Sequence, residues 1–381
     1  MKFVHMSDLH LGKRINEYSM LDEQEYILKE IINIIDKEKP YGIIIAGDIY
    51  DKAVPPVEAV QLFDDFIFRL AERKLKVFVI SGNHDSPERV AFGSRIMDYS
   101  GIHISKVYDG KVSALSIDDE YGTVNIYMLP FIKPANVRRL CDNTDEEIVT
   151  YTDAVKFAIS QMNINSANRN VLITHQFVTG AQRCESEAIS VGGSDNVDAS
   201  VFEQFDYVAL GHIHSPQICG SDKIRYSGTP LKYSFSEAKD SKSVAVIELA
   251  EKGNISCKKA ELMPKHDMVE LKGTYNELTL KSFYDNTTWQ EDYTHITLTD
   301  EEDIPDAIGK LRSIYHRLMK LDYDNKRTRS NAEISGISNA ESKSPLDLFS
   351  DFYMLQNNQA MSDEQMEFMK SMIENIWEEA R

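Results

Sequence analysis

Short apolar runs alternate with amphipathic stretches along the first 260 residues of the chain. The runs with the length and composition of buried strands are KFVHM, YGIIIAG, VFVIS, NVLIT and DYVALG. Apolar residues recur at helical spacing over 21–39, and again over 56–74, where Pro56 lies near the first turn. This alternation predicts an α/β fold in which helices cover a sheet.

The pattern changes after Gly211, where the apolar runs become shorter and closer together. The runs IRYSG, SVAVIELA and NISCKKAE predict an antiparallel group that completes a second sheet. Residues 265–323 then alternate strand-like runs with a helix near 277–284 and another in DIPDAIGKLRSIY, which predicts a small α+β domain. We therefore expect a large domain over 1–264 and a small one over 265–323.

The last part of the chain combines a polar segment with two amphipathic helices. Residues 324–343 show no apolar period and are expected to form a flexible linker. Within 344–381, Ser362 and Gln365 form the capping-box pattern that opens the second helix. The apolar residues expected to bind a partner are Leu348, Phe349, Phe352, Met366, Met369, Ile373 and Trp377. The long linker favours docking on a helix of another protein, and folding back onto the chain's own domains is the alternative.

The net charge limits how this chain can bind nucleic acid. Its 381 residues include 42 basic and 61 acidic side chains, so the formal charge is −19. Such a balance argues against a free-standing DNA-binding protein with a basic surface. A nucleic-acid role would need bound cations, a few local Lys and Arg residues, or a partner protein that supplies the attraction.

The cysteines and the apolar runs exclude two further classes of protein. Cys141, Cys184, Cys219 and Cys257 are scattered without a CxxC pair, so we expect neither a disulfide framework nor a thiolate metal site. No apolar run approaches the roughly 20 residues that a membrane span needs, and the first residues lack a signal-peptide pattern. We therefore expect a cytoplasmic protein that does not enter a membrane.

Residues that bind metals follow five of the predicted strands. They are Asp8 and His10 in SDLH, Asp48 and Asp51 in GDIYD, Asn83, His84 and Asp85 in GNHD, His175 in THQ, and His212 and His214 in GHIH. Any one of these stretches alone is more often a polar turn or helix cap than a set of metal ligands. The loops at the carboxyl ends of strands in an open α/β sheet converge, however, so the five together predict one metal site.

The types of these residues indicate which metals such a site would bind. Carboxylates, an amide oxygen and imidazoles without thiolates suit manganese, iron or zinc better than calcium. The ligand set is too large for one ion. Two ions that share a carboxylate, roughly 3.5 to 4 Å apart, would use all the ligands and leave positions for water and substrate.

The five motifs resemble those of the calcineurin-like metallophosphoesterase superfamily. Within it, the stretches AGDIYDKAVPP, GNHDSPERV, ITHQFVTGA, VALGHIHSPQ and IRYSGTPLKYSFSEAKDSKSV resemble the SbcD family of nuclease subunits. The resemblance implies an α/β/β/α sandwich of two mixed sheets, with the small α+β domain as a capping domain and a helical segment at the C-terminus.

The resemblance also implies how the ligands are divided between two ions, for which manganese is the expected metal. One ion would be bound by Asp8, His10, Asp48 and His214, and the other by Asp48, Asn83, His175 and His212, so that Asp48 bridges them. His84 lies outside this set and is the candidate proton donor to the leaving group. Asp51 is expected to orient His84, with a turn cap as the alternative, and Asp85 is expected to cap a helix.

By resemblance, the expected function is that of a DNA nuclease that acts in repair, recombination and replication. It would work as an exonuclease on duplex ends and as an endonuclease on single-stranded or hairpin DNA, with an SbcC-like ATPase bound by the C-terminal helices. The basic residues that could contact DNA are Lys52, Arg89, Arg95, Lys133 and Lys232, although solvated surface charge is their commoner role. A homodimer through residues 56–74 and 87–99 is also expected; the alternative is that these helices pack only on their own sheet.

Three alternatives to the nuclease follow from the same motifs. A phosphomonoesterase is the first, but the protein phosphatases of the superfamily usually carry Arg after the second Asp of GDxxD, where this chain has Lys52. A cyclic-nucleotide phosphodiesterase would be a small single domain, which does not explain residues 265–381. A non-catalytic scaffold would have lost ligands, and here every ligand is present.

Overall fold

The structure is a computed structural model that describes residues 1–140, 148–187, 195–302, 304–325, 344–357 and 360–379. For 355–357 and 374–379 only the backbone is described. Cys141, most of the predicted linker (326–343) and the side chain of Trp377 therefore lie outside the described residues.

The strands are numbered in chain order. They are β1 (Lys2–Met6), β2 (Arg14–Ile15), β3 (Tyr18–Ser19), β4 (Gly42–Ala46), β5 (Lys76–Ile80), β6 (Ile102–Ile104), β7 (Leu115–Asp119), β8 (Gly122–Leu129), β9 (Arg169–His175), β10 (Phe177–Val178), β11 (Asn196–Val197), β12 (Tyr207–Gly211), β13 (Gln217–Cys219), β14 (Ser221–Tyr226), β15 (Ser243–Leu249), β16 (Ile255–Glu261), β17 (Met268–Gly273), β18 (Tyr293–Leu298) and β19 (Arg317–Tyr323).

The helices are numbered in the same way. They are α1 (Leu21–Glu38), α2 (Val57–Glu72), α3 (Pro87–Val90), α4 (Ser94–Met97), α5 (Pro134–Arg138), α6 (Tyr151–Ser160), α7 (Tyr275–Thr279), α8 (Lys281–Tyr284), α9 (Ala307–Arg312), α10 (Pro345–Asn357) and α11 (Asp363–Glu379).

Two six-stranded sheets pack face to face and form the centre of the molecule. Their strand orders are β16-β15-β1-β4-β5-β6 and β13-β14-β12-β9-β8-β7. Side chains from both sheets, such as Phe78 and Ile126, fill the layer between them. Helices α1 and α2 cover the outer face of the first sheet, and α6 covers that of the second. These four layers confirm the predicted α/β/β/α sandwich.

The strands after Gly211 do not form the single antiparallel group that the sequence suggested. β14 joins the second sheet parallel to β12, whereas β15 and β16 run antiparallel at the β1 edge of the first sheet. Val4 pairs with Val246 at this edge. β15 is almost wholly buried, so it needs a strand neighbour on each side, but alternation along the chain does not say which sheet provides them.

Residues 268–323 form a third, three-stranded parallel sheet in the order β17-β18-β19. Helices α7 to α9 supply the crossovers that parallel strands require, and they share a core with the sheet around Leu278 and Tyr315. The helix predicted over 277–284 is two short helices, because Thr274 and Glu277 form a capping box and start the first one earlier. Met268 and Tyr293 extend this unit into the core beneath α1.

The two C-terminal helices begin with capping boxes. The Ser362 N–H donates to Gln365 Oε1 (2.9 Å) and the Gln365 N–H donates to Ser362 Oγ (3.3 Å), as the sequence predicted. Ser344 and Asp347 do the same at the start of α10, a pattern that was not predicted. Phe352 is 57% exposed. No helix in the described part of the chain is long and apolar enough to cross a bilayer.

The segment 87–99, one of the two candidate dimer surfaces, is not one continuous helix. It contains two short helices, α3 and α4, separated at Gly93, whose φ is +73°. Phe92, Ile96 and Tyr99 on this segment are 84%, 77% and 95% exposed. On α2, Ile67 packs on the sheet, as amphipathic spacing dictates, while other apolar residues remain exposed: Val57, Val60 and Phe68.

Candidate metal centre

The loops that follow β1 and β4 lie side by side at the carboxyl edge of the first sheet. The Asp8 N–H donates to Gly47 O and the His10 N–H donates to Asp48 O, both at 3.0 Å. Asp8, His10, Asp48 and His212 all have positive φ, at 54°, 44°, 48° and 105°. Residues other than glycine rarely adopt this conformation and lose about 1 kcal/mol or more when they do. Backbone strain is thus concentrated where the predicted ligands lie.

Two motif glycines allow the loops to approach one another closely. A Cβ at Gly82 would lie 2.2 Å from Asp48 Oδ1, and one at Gly211 would lie 1.9 Å from Ala46 O. Real Cβ atoms do not approach other atoms this closely, so any side chain at either position would push the loops apart. The glycines of GNHD and GHIH therefore set the spacing of the ligands.

The structure brings the predicted ligands of the carboxylate-rich side of the site together. Ligand atoms of Asp8, His10 and His214 lie within 4.8 Å of one another, as do those of Asp8, Asp48 and His175. His10 Nε2 and His214 Nε2 are 3.2 Å apart, and His175 Nε2 is 3.4 Å from Asp48 Oδ2. Asp8 belongs to both of these groups, and Asp48 belongs to the second and to a further group with His10 and His84, so each carboxylate lies between histidines assigned to different ions.

Asn83 and His212 complete the set of predicted ligands. Asn83 Oδ1 is 2.9 Å from His212 Nδ1 and 3.0 Å from His175 Nε2. His175 Nδ1 lies 2.8 Å from Ala46 O, to which it donates a hydrogen bond. Because the Nδ1 position is used in this way, His175 presents Nε2 to the centre, which is how metal-binding histidines are commonly oriented.

The surroundings of the histidines favour the form that binds metals. Burial lowers the pKa of His212 to about 3 and the pKa values of His10 and His214 well below 6.5. Imidazoles bind metals when neutral, so these three are ready ligands at neutral pH. Burial also lowers the pKa of His175, but the Asp48 and Asp8 carboxylates outweigh it and raise that pKa to about 9.

The pKa values of the two buried carboxylates, Asp8 and Asp48, are shifted in opposite directions. Burial raises the pKa of Asp8 to about 8, and the Asp48 charge adds to the rise. Burial would raise the pKa of Asp48 as well, but His175, His84 and His10 hold it well below its usual range. Close, buried carboxylates are stabilised by cations. Together with neutral imidazoles and an amide oxygen, they fit a pair of borderline divalent cations.

A series of hydrogen bonds that was not predicted from the sequence orients the His214 ring. Ser186 Oγ is 2.6 Å from His214 Nδ1 and donates to Glu237 Oε1 at 2.6 Å, while Lys242 pairs with Glu237 at 2.5 Å. Ser186 thus accepts the Nδ1–H of His214, which leaves Nε2 unprotonated. The His214 backbone N–H also donates to Glu187 at 2.6 Å. The charged residues in the stretch SFSEAKDSK were the available sequence signal.

A second set of contacts holds the His10 loop. Gln24, on the first turn of α1, donates to His10 O at 2.8 Å and to Tyr233 Oη at 3.0 Å. Tyr233 in turn donates to Leu9 O at 2.6 Å. These buried bonds satisfy main-chain carbonyls that a tight loop would otherwise leave without partners. The loop is therefore fixed from the helix side as well as from Asp48.

His84 lies at the edge of the ligand cluster, and Asp51 contacts it through the main chain. Its N–H donates to Asp48 Oδ1 at 2.8 Å, and its Nδ1 lies 2.9 Å from the main-chain oxygen of Asp51. The Asp51 carboxylate instead pairs with Lys13 at 2.7 Å. Asp51 therefore orients His84 through its carbonyl group, not its carboxylate. The Asp51 carbonyl accepts the Nδ1–H of His84, so Nε2 is the ring nitrogen that remains for catalysis.

Asp85 is a structural residue, but it does not cap a helix as predicted. Its carboxylate accepts hydrogen bonds from the main-chain N–H groups of Ile49 (3.1 Å), Tyr50 (3.0 Å) and Gly82 (2.9 Å). The cap of α3 is Ser86, whose Oγ accepts the N–H of the third helical residue. Asp85 therefore joins two ligand loops. Burial, with the nearby Asp48 charge, raises its pKa to about 6.

A cavity of about 560 Å³ opens beside Asn83 and His84. Of the basic residues proposed to contact DNA, Lys52 and Lys133 line it, and so does Arg139, which was not predicted. Arg89 and Arg95 are not among the lining residues. Lys232 is a poor candidate, because its Nζ pairs with Asp267 at 2.8 Å.

Comparisons with known proteins identify the family of this chain. A family model described as calcineurin-like phosphoesterase matches residues 1–216, and one described as type 5 capsule protein repressor C-terminal domain matches 264–357. The SbcD subunit of the SbcCD nuclease of Staphylococcus epidermidis is 31% identical over 385 residues, which cover 99% of each chain. A dimetal phosphatase from Danio rerio is 12% identical over 69% of this chain and 98% of its own, with a TM-score of 0.41. The first family model and the staphylococcal relative show that the chain belongs to the calcineurin-like phosphoesterases and, within them, to the SbcD family.

Proposed function

We propose that this chain is the metal-dependent DNA nuclease subunit of an SbcCD-type complex. The proposal rests on the convergence of seven ligand side chains on one buried centre, with His84 beside them and a cation-lined cavity next to it. The staphylococcal SbcCD nuclease subunit, matched over nearly its full length, supports the same function. The substrates would be duplex ends, single strands and hairpins, and the processes repair, recombination and replication.

The residues of the site have separate roles in the proposed hydrolysis. Two divalent cations bound by Asp8, His10, Asp48, Asn83, His175, His212 and His214 would supply an activated water and neutralise the phosphate oxygens. We propose manganese for both, within the borderline class that the donor set favours. His84 in its doubly protonated form would donate the Nε2 proton to the leaving oxygen and keep the Nδ1–H that is directed at the Asp51 carbonyl.

The cations of the cavity fit a diester better than a monoester. Lys52 lies in the lining beside Asp51, in the position where a phosphatase of the superfamily would carry Arg. Arginine binds a phosphate dianion through two parallel hydrogen bonds, whereas lysine acts as a single point charge. A diester carries one negative charge, so the single positive charge of a lysine at this position is enough to balance it.

The test of the proposed function compares two substrates. Full-length protein with Mn²⁺, with and without its ATPase partner, is assayed on labelled hairpin DNA and on a generic phosphomonoester. We expect cleavage of the hairpin and at most weak hydrolysis of the monoester. Rapid hydrolysis of the monoester with intact hairpin DNA would instead establish a phosphomonoesterase.

The C-terminal helices α10 and α11 are proposed to bind the coiled coil of an SbcC-like ATPase. Phe352 and Phe368 are 57% and 66% exposed, and Met372 is exposed with them, so this segment presents apolar surface to solvent. An ATPase partner would also supply the positive surface that a chain of charge −19 lacks.

Truncation before Ser344 separates partner binding from catalysis. We expect the shortened chain to bind its metals and cleave small diesters at the full-length rate, while its affinity for the ATPase falls at least about tenfold. Calorimetry with the purified partner measures the affinity. Full-length affinity in the truncated chain would contradict the assignment of α10 and α11.

We also propose homodimerisation through the exposed apolar residues of α2 and the 87–99 segment. Phe92, Ile96 and Tyr99 on that segment are exposed, and so are three apolar residues of α2: Val57, Val60 and Phe68. Contiguous patches of exposed apolar groups mark association surfaces, and we propose that these residues form one. Ile96→Asp is expected to convert a dimer to a monomer in sedimentation at micromolar concentration. A monomeric parent chain under those conditions would refute the dimer.

The domain boundaries and the location in the cell stay predictions. The proposed units are a nuclease domain over 1–264, a capping domain over 265–323, a linker over 324–343 and a partner-binding segment over 344–381. The second family match, 264–357, begins at the proposed boundary but continues across the linker. A cytoplasmic location is proposed from the expected partners.

A further inference from the structure

The cavity next to the metal centre has the size of a ligand site and walls of two kinds. Its volume of about 560 Å³ lies within the range typical of small-molecule sites. Asn83 and His84 form one side, so a molecule bound in the cavity would lie next to the reacting phosphate. Val107 and Phe131 contribute apolar surface to the lining. Neither metal binding nor proton donation by His84 uses this apolar surface.

Phe131 lies between the metal centre and the cavity. Its ring lies nearly parallel to that of His212, with an angle of 11° and centroids 6.5 Å apart, and edge-on to His175 at 6.2 Å. The Phe131 N–H donates to Ser81 O at 3.0 Å, which fixes the main chain. The side chain is only half-buried, so part of the ring faces the cavity that it lines.

The lining has three basic and three acidic residues, and Lys13, which lies outside the lining, pairs with one of the acids, Asp51. Lys52, Lys133 and Arg139 contribute three cations to the lining. The acidic lining residues already accept hydrogen bonds within the protein: Asp51 from Lys13, Asp85 from three main-chain amides and Glu88 from Ser86. Cations beside a fixed aromatic ring are the features with which proteins bind single-stranded nucleic acid.

We propose that this cavity binds the nucleotide adjoining the scissile phosphate, with its unpaired base stacked on Phe131 and its outer phosphate near Lys133 and Arg139. The inference rests on the proposed nuclease function and adds the contact by which the chain would select a strand that is unpaired at the cleavage site. A base in a duplex is stacked on its neighbours, so it must leave the stack before Phe131 can contact it. Frayed ends and hairpin loops provide such bases at low cost.

A cycle that combines a protein change with a substrate change tests the stacking contact. Wild-type protein and Phe131→Ala, both full-length with Mn²⁺, cleave a single-stranded oligonucleotide and versions in which one base near the scissile bond is removed. We expect one position where base removal lowers kcat/KM of the wild type by about 5- to 150-fold, the range for one stacked base. At that position Phe131→Ala should cleave the intact strand with the same reduced kcat/KM that the wild type shows on the abasic strand. On the abasic strand the kcat/KM of Phe131→Ala should be less than about twofold below that of the wild type.

The matched control is Phe177→Ala. The Phe177 ring also contacts His212, with centroids 6.2 Å apart, but Phe177 does not line the cavity. If either substitution acts by disturbing His212, it should lower the metal content. Its loss in kcat/KM should then multiply with the loss caused by base removal. Multiplying effects in Phe131→Ala, as in the control, would overturn the stacking proposal.

A binding measurement covers the case in which Phe131→Ala loses metal. The fluorescent base 2-aminopurine, placed at the mapped position, is quenched when it stacks on a ring. We expect quenching by the slow variant His84→Ala and its recovery in His84→Ala with Phe131→Leu, which retains an apolar side chain against His212. Equal quenching by both would refute the contact. If wild-type protein with metal and partner cleaves no oligonucleotide, the proposed function itself fails, which is a separate outcome.

Discussion

Asp48→Ala is expected to abolish metal-dependent cleavage and to lower the occupancy of both metal positions. The Asp48 carboxylate lies 3.4 Å from His175 and 3.7 Å from His10, residues assigned to different ions, and also accepts the His84 N–H. Its loss would remove a ligand from each ion together with the charge that balances them. Metal ions contribute several kcal/mol to phosphoryl chemistry, so we expect a loss of about 10³-fold or more in kcat/KM.

Metal content and calorimetry with Mn²⁺ separate this prediction from general damage. Asp64→Ala, which removes an exposed carboxylate on α2, is the matched control and should change neither metal content nor rate. The structure also groups Asp8 with both sets of ligands. Loss of one ion in Asp48→Ala, with loss of both in Asp8→Ala, would therefore assign the bridge to Asp8 and contradict the division made from the resemblance.

The ligand cluster was accessible from the sequence because topology turns separate motifs into one site. β4, β5, β9 and β12 are parallel strands of two facing sheets, and their carboxyl ends meet at the same edge of the sandwich. Each strand is a clear apolar run, and each is followed directly by ligand-type residues. Knowledge of strand direction was therefore enough to bring His175 and Asn83 together, though they are 92 residues apart.

The residues that support the ligands could not be found in this way. Ser186 contacts both His214 and Glu237, which is 51 residues away, and nothing in the sequence around Ser186 distinguishes it from a surface polar residue; the charges around Glu237 are a signal, but they do not say which ligand they support. Asp85 has the sequence context of a helix cap, but its three amide donors come from loops that only the fold brings together. Long-range hydrogen bonds leave no periodic signal in a single sequence.

His84→Ala is expected to show the opposite combination, with metal retained and turnover lost. The hydrogen bond from His84 to Asp48 comes from the main-chain N–H, so an alanine at this position keeps it. Loss of a general acid typically costs about 10² to 10⁴-fold in rate, and we expect kcat to fall within that range at saturating Mn²⁺. Metal content should stay within error of the wild-type value.

The leaving group shows whether His84 acts as the proton donor. When a p-nitrophenyl ester of a nucleotide is hydrolysed, p-nitrophenolate leaves as a stable anion and needs no proton. The alkoxide that leaves when a DNA strand is cleaved does need one. His84→Ala should therefore cleave the p-nitrophenyl ester nearly as fast as the wild type and lose its rate only on DNA. His10, Asp48 and His84 also lie close enough to bind one ion together. If His84→Ala loses an ion, or slows equally on both substrates, His84 serves the metal and not the leaving group, and another residue must supply the proton.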